Sequence, residues 1–152
     1  MITALYVTKM ESRKYVKDNI VGTIHINHDI TLKIPRITEK ITAFGNKSVM
    51  SIDFQMFISY LNPSIGEIMF EGCVDYFVEK PLDIIAAWNN AESEAANKIK
   101  TEVGNNLMGN IIPFASMVAQ KMELPPVFPI PRIAFGKQAN PVKKEEQPSY
   151  IG

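Results

Sequence analysis

Apolar and polar residues alternate through three stretches in the first half of the chain. Ile24, Ile26, His28, Ile30, Leu32 and Ile34 alternate with His25, Asn27, Asp29, Thr31 and Lys33. A period of two gives a strand one buried face and one wet face. Pro35 ends this run because it withholds a ladder donor. In the second run Met50, Ile52, Phe54, Met56, Ile58 and Tyr60 alternate with Ser51, Asp53, Gln55, Phe57 and Ser59. Leu61 to Gly66 carries turn chemistry in Asn62, Pro63 and Gly66. The third run then returns, with Ile68, Phe70, Gly72, Val74, Tyr76 and Val78 against Glu67, Met69, Glu71, Cys73, Asp75 and Phe77. Two alternating runs joined by a short turn predict an antiparallel hairpin. Leu5-Tyr6-Val7 marks a further strand, which makes four.

The second half changes period. Ile84, Trp88, Ala91, Ala95, Ile99 and Val103 recur every three or four residues, with Glu92, Glu94, Lys98 and Lys100 on other faces. This predicts an amphipathic helix that stops at Gly104-Asn105-Asn106, since glycine favours a helix C-terminus. Leu107, Ile111, Phe114, Val118 and Met122 form a second helical stripe with Pro113 inside it. A new helix capped by Asn110, with Pro113 in its first turn, is the preferred arrangement; a kink in a longer helix is the alternative. Leu124-Pro125-Pro126-Val127-Phe128-Pro129-Ile130-Pro131 is too proline-rich for helix. It predicts an extended path, and its apolar residues predict that this path lies on an apolar surface. Residues 137–152, with Lys143-Lys144-Glu145-Glu146, read as a disordered tail.

Composition narrows the function classes. A chain of 152 residues with 46% hydrophobic content supports one domain with a true core. Sixteen cations balance sixteen anions, which argues against a nonspecific nucleic-acid binder. One cysteine permits no internal disulfide, so a reducing compartment is the default. No apolar run is long enough to span a bilayer, and the opening Met1-Ile2-Thr3-Ala4-Leu5 does not read as a signal peptide. The expected address is the cytoplasm.

Three segments carry a family resemblance. Leu5-Tyr6-Val7-Thr8-Lys9-Met10-Glu11-Ser12 pairs an aliphatic with an aromatic residue, then a lysine and a polar step. The hairpin from Ser51 to Val78 has two long runs and a short turn. Ile111-Ile112-Pro113-Phe114-Ala115 leads through Met117, Val118 and Met122 into Leu124-Pro125-Pro126. In these segments the sequence resembles the SecB-type export chaperones and the SecB-like chaperones outside classical export. The resemblance covers Leu5 to Ile133 and rests on residue classes. It implies an α+β fold, a four-stranded antiparallel sheet with two helices packed on it, assembled as a homodimer or homotetramer. The domain is then residues 1–136, with a helical insertion at about 81–110 that is longer than the family's usual connection. Classical members use an acidic tail and negative surfaces to contact the export motor SecA. The tail of this chain is not acidic, which sets it apart from that contact.

The search for catalytic chemistry favours none. His25 and His28, three apart on a strand, fall on opposite faces and cannot share a metal. Cys73 has no second cysteine and reads as an ordinary sheet residue. Asp53, Glu67, Glu71 and Asp75 read as a solvated sheet face. Gly104 and Gly109 lack the lysine and strand of a phosphate loop. Asn46-Lys47-Ser48 is a formal glycosylation sequon without meaning in a cytoplasmic chain, and Arg13, Lys14 and Lys17 read as a wet strand end. No enzyme activity, metal or cofactor is expected, and neither nucleic acid nor membrane insertion.

What remains is apolar. Phe57, Met69 and Phe77 fall on the strand face that should be polar, and the chain has eight methionines. Either helices and an oligomer partner cover the two faces, or one face is a groove for non-native polypeptide. The leading expectation is an ATP-independent holdase. Its client groove would use Phe54, Phe57, Tyr60, Tyr76 and Phe77 from the hairpin, with Leu124, Val127 and Phe128 from the proline-rich segment. Phe114, Val118 and Met122 would pack the sheet or an oligomer interface, and Trp88 would anchor its helix or meet a subunit. A structural adaptor with one fixed partner and a binder of small apolar ligands are the alternatives.

Overall fold

The computed structural model describes residues 1–15, 23–61, 64–127 and 133–136. Among these, five strands form one antiparallel sheet: β1 (Ile2–Lys14), β2 (His25–Leu32), β3 (Arg36–Thr42), β4 (Gly45–Leu61) and β5 (Gly66–Tyr76). Two helices follow, α1 (Pro81–Ala86) and α2 (Glu94–Lys121). The sheet order is β1-β5-β4-β2, and β3 also pairs with β4. The α+β class and the antiparallel sheet agree with expectation, but the strand count is five, not four.

The additional strand is β3. The 17-residue β4 takes β2 along its second half, where Leu32 faces Phe54, and β3 along its first, where Arg36 faces Ser51. The large apolar residues of β3, Ile37 and Ile41, are both exposed. A strand without a buried face leaves no period-two signature, because burial is what selects the alternation.

Register assigns the faces. β4 and β5 run opposed from the Met50–Tyr76 pair to the Tyr60–Gly66 pair. The even-numbered members, including Ile52, Phe54, Met56, Ile58, Ile68, Phe70 and Val74, form an inner face that is buried with one side of α2 in a single core. From α2 the core receives Ala96, Ile99, Val103, Leu107, Met108, Ile111, Ala115 and Ala119. Each large side chain buried in this way contributes about 1.5–3 kcal/mol before ordering costs. Gly72 sits in the middle of this face. A Cβ there would lie 1.9 Å from the Tyr6 carbonyl oxygen and 2.8 Å from the Phe54 ring. Only glycine lets β1 and that ring approach β5 so closely.

The helical half divides differently from expectation. α1 is one short turn-and-a-half begun by Pro81, and Trp88 follows it with 1% of its surface exposed. Lys100 Nζ lies 4.9 Å from the Trp88 ring centroid and donates to the Trp88 carbonyl, so Trp88 anchors α1 to α2. α2 begins at Glu94, where Ser93 Oγ accepts from the Ala96 amide at 3.3 Å. It then runs 28 residues without a break through Gly104 and Pro113, so Asn110 caps nothing. The Asn110 side chain instead donates to the Asn106 carbonyl at 2.7 Å. Pro113 is tolerated because it and Gly109, whose carbonyl loses its partner, both lie on the exposed side of the helix. Gly104 is buried, and a Cβ there would meet the Phe135 ring at 3.0 Å. That glycine serves a close crossing rather than a helix end.

α2 closes with a Schellman turn. The Leu124 amide donates to Ala119 O at 2.8 Å and the Glu123 amide to Gln120 O at 3.2 Å. Glu123 takes the left-handed conformation, φ 56°, that glycine usually fills. Leu124 and Val127 are buried, as a segment lying on an apolar surface should be. Phe128 to Pro131, Lys17 and the 137–152 tail lie outside the described residues.

Candidate functional site

The eight expected groove residues do not share a surface. Phe54, Tyr60, Tyr76, Leu124 and Val127 are all buried in the inner-face core. Their polar tips are held as well. Tyr60 donates its hydroxyl to Pro125 O at 2.6 Å, and burial pushes its pKa far up. Tyr76 donates to Glu102 Oε2 on α2 at 2.6 Å; burial, then that carboxylate, pushes it up to about 12. The Val127 amide donates to Ser116 Oγ at 3.2 Å. These five side chains belong to the core that joins α2 and the proline-rich segment to the sheet. Phe57 and Phe77 fall on the opposite, outer face, and Phe128 lies outside the described residues. The expectation joined aromatic residues from both faces of one strand pair, and alternation keeps those faces apart.

Phe114, Val118 and Met122 pack the sheet. Phe114 meets Phe70 edge to face, centroids 6.1 Å apart, and stays half-exposed. Val118 on the same helix and Met122 just past its end pack on the core.

Among the described residues, one open apolar surface lies at the β1 edge of the sheet. β1 pairs with β5 on one side and, among the described residues, with nothing on the other. Val7 and Met10 oppose Gly72 and Phe70, so they point to the inner side, and both are exposed. Phe70, opposite Met10, is fully buried and meets Phe114, whose half-exposed ring forms a second apolar patch on the flank of α2. Met117, 64% exposed, continues it one turn further along the helix. The sequence signal was present in Tyr6-Val7 and Met10, apolar residues on both sides of a strand. Beyond Met117, a groove of about 460 Å³ runs between Pro113, Gln120, Leu124 and Pro126. On the opposite half of α2 lies a second cleft, of about 750 Å³, lined by Glu94, Lys98, Glu102 and Phe135.

The outer face is polar but not simply solvated. Asp75 is 2% exposed, accepts from Ser51 Oγ at 2.7 Å and pairs with Lys40 Nζ at 3.3 Å. Arg36 pairs with Asp53, and Gln55 donates to Glu71 at 2.9 Å. The Cys73 thiol lies among these groups; burial and then Asp53 push its pKa up, so it is no activated nucleophile. His25 and His28 oppose Leu61 and Ile58 and therefore lie on opposite faces. Among the described residues, no three His, Cys, Asp or Glu side chains converge as metal ligands. No helix among them is long and apolar enough to cross a membrane.

No protein-family model and no curated protein sequence matches the chain. Among solved structures, the chain is similar to a SecB-like chaperone of Mycobacterium tuberculosis, solved in complex with a ChAD peptide from an antitoxin. The TM-score is 0.48 at 12% identity, over 85% of this chain and 87% of that one.

Proposed function

We propose that this protein is a polypeptide-binding chaperone of the holdase type, working without ATP, metal or catalysis. The observation that carries the reading is the outer edge of β1, 13 residues long, unpaired among the described residues and carrying the exposed Val7 and Met10. An open edge offers unpaired amides and carbonyls to an extended segment, and the apolar residues beside it take that segment's alternate side chains. A non-native chain has both. The resemblance of the sequence to SecB-type chaperones supports the same reading, and Met10 and Met117 suit varied clients because a thioether stem repacks easily. The client surface is thus assigned to the β1 edge in place of the hairpin aromatics. A homodimer or homotetramer remains part of the proposal, with export and SecA outside it.

The test is suppression of light scattering when a denatured, unrelated client is diluted into nucleotide-free buffer. The native protein should suppress aggregation at near-stoichiometric ratio, and Met10→Lys should lose most of that effect while its mass by light scattering stays unchanged. A fall in mass with Met10→Lys would make the edge a contact between copies instead. Absence of suppression across several clients would sink the holdase and favour an adaptor with one fixed partner.

A further inference from the structure

β3 and the first residues of β4 form a two-stranded arm, turned at Ala43-Phe44, that extends past the end of β5. Its direction is given by its lysines. Lys40 on β3 lies 5.5 Å from the Tyr6 ring centroid on β1 and pairs with Asp75 on β5, although neither strand neighbours β3. Lys47 on β4 lies 6.0 Å from the Phe77 ring centroid. The arm therefore folds over the outer face at this end of the sheet. Burial shows the same thing independently: β4 alternates along its second half, but from Val49 to Ile52 it is buried on both faces. Ser51 and Asp75, polar residues of the outer face, are buried under this cover.

Charged contacts tie the arm to the outer face. Lys40 reaches Asp75, Arg36 reaches Asp53, and two lysines sit over aromatic rings. Of the arm's apolar residues, Ile41 and Phe44 at its tip are 90% and 92% exposed, and Val49 near its root is buried. The backbone also provides a flex point: the edge ladder is interrupted at Lys33–Pro35 between β2 and β3, with one bond from the Lys33 amide to Asp53 O at 2.9 Å.

We propose that the β3–β4 arm is a flap, latched over the outer face by Lys40–Asp75 and Arg36–Asp53, whose release uncovers the buried Ser51 and Asp75 and the half-buried Cys73. Closure satisfies the Asp75 carboxylate with a cation and a hydroxyl. Opening returns both charges to water, so the closed state depends on Coulomb attraction that salt can screen. This device stands independently of the holdase reading.

The chain carries its own probes, a single cysteine and a single tryptophan. Cys73 lies under the root of the arm, in contact with Arg36, while Trp88 is buried near α1 and α2. Alkylation of Cys73 reads the flap, and Trp88 fluorescence reads the global fold. Labelling rates are normalised to those of the urea-unfolded chain at the same salt, which removes effects on the thiol itself. Raising salt from about 0.1 M to about 1 M shortens the screening length from about 10 Å to about 3 Å. Labelling should then accelerate several-fold with Trp88 unchanged, and Lys40→Met should accelerate it about tenfold at low salt. Rates indifferent to salt and to Lys40→Met overturn the latch. So does acceleration that merely follows unfolding reported by Trp88. If Lys40→Met fails to fold, Arg36→Gln and the salt series on the unaltered chain decide the matter.

Discussion

His28 should make the fold acid-sensitive well above the range where carboxylates titrate. It lies on the inner side of β2 opposite Ile58, and its Nε2 is buried without a hydrogen-bond partner among the described residues. Burial lowers its pKa from 6.5 to about 4. Between those values the unfolded chain binds a proton that the folded chain refuses, so stability is complete above pH 6.5 and falls as pH falls toward 4. The full displacement corresponds to about 3 kcal/mol at 1.36 kcal/mol per unit. By pH 5, before most Asp and Glu residues protonate, the loss is about 2 kcal/mol. Urea unfolding followed by Trp88 fluorescence at pH 7, 6 and 5 measures it. His28→Leu is the matching perturbation, because it keeps an apolar-facing side chain of similar size and removes the orphaned nitrogen. It should leave stability at pH 7 equal or higher, since a buried unpaired polar atom costs about 1–3 kcal/mol. It should also flatten the pH dependence between 7 and 5. If His28→Leu shows the same acid loss as the unaltered chain, the loss belongs to other groups and the reasoning fails.

Three further substitutions test the packing by denaturant midpoint. Gly72→Ala places a methyl group 1.9 Å from the Tyr6 carbonyl oxygen and should cost about 2–3 kcal/mol by forcing β1 off β5. Tyr60→Phe removes the 2.6 Å bond to Pro125 O and leaves that carbonyl buried and unpaired, for a loss of about 1–2 kcal/mol. Glu123→Gly relieves the left-handed φ of 56° at the end of α2 and should stabilise by about 0.5–1 kcal/mol. A destabilised Glu123→Gly would mean that the 3.8 Å pair with Lys14 outweighs the backbone strain.

The parts of the fold legible in the sequence are those where burial repeats with the period of the element. β4 and β5 could be read residue by residue because α2 covers one side of them for their whole paired length, from Met50 to Tyr60 on β4. The same rule explains what was hidden. Ile37 and Ile41 on β3 meet no core, so the strand had no pattern to show. Gly104 and Pro113 carry helix-breaking chemistry, yet α2 runs through both. The reasons are tertiary: one glycine lets Phe135 cross closely, and the proline spends its lost bond on the wet side. Asp75 read as a solvated carboxylate because its cover, Lys40, belongs to a strand far upstream that does not pair with β5. The candidate site fell between these cases. Its aromatic residues were correctly recognised as large and apolar, but a count of aromatics does not say which face is closed. Register does, and it divides Phe54 and Tyr60 from Phe57 and Phe77 across the thickness of the sheet. Among the described residues β1, β2 and β3 each pair with a single strand, and the proposed client edge is assigned to β1 because Val7 and Met10 on its inner side are apolar and exposed.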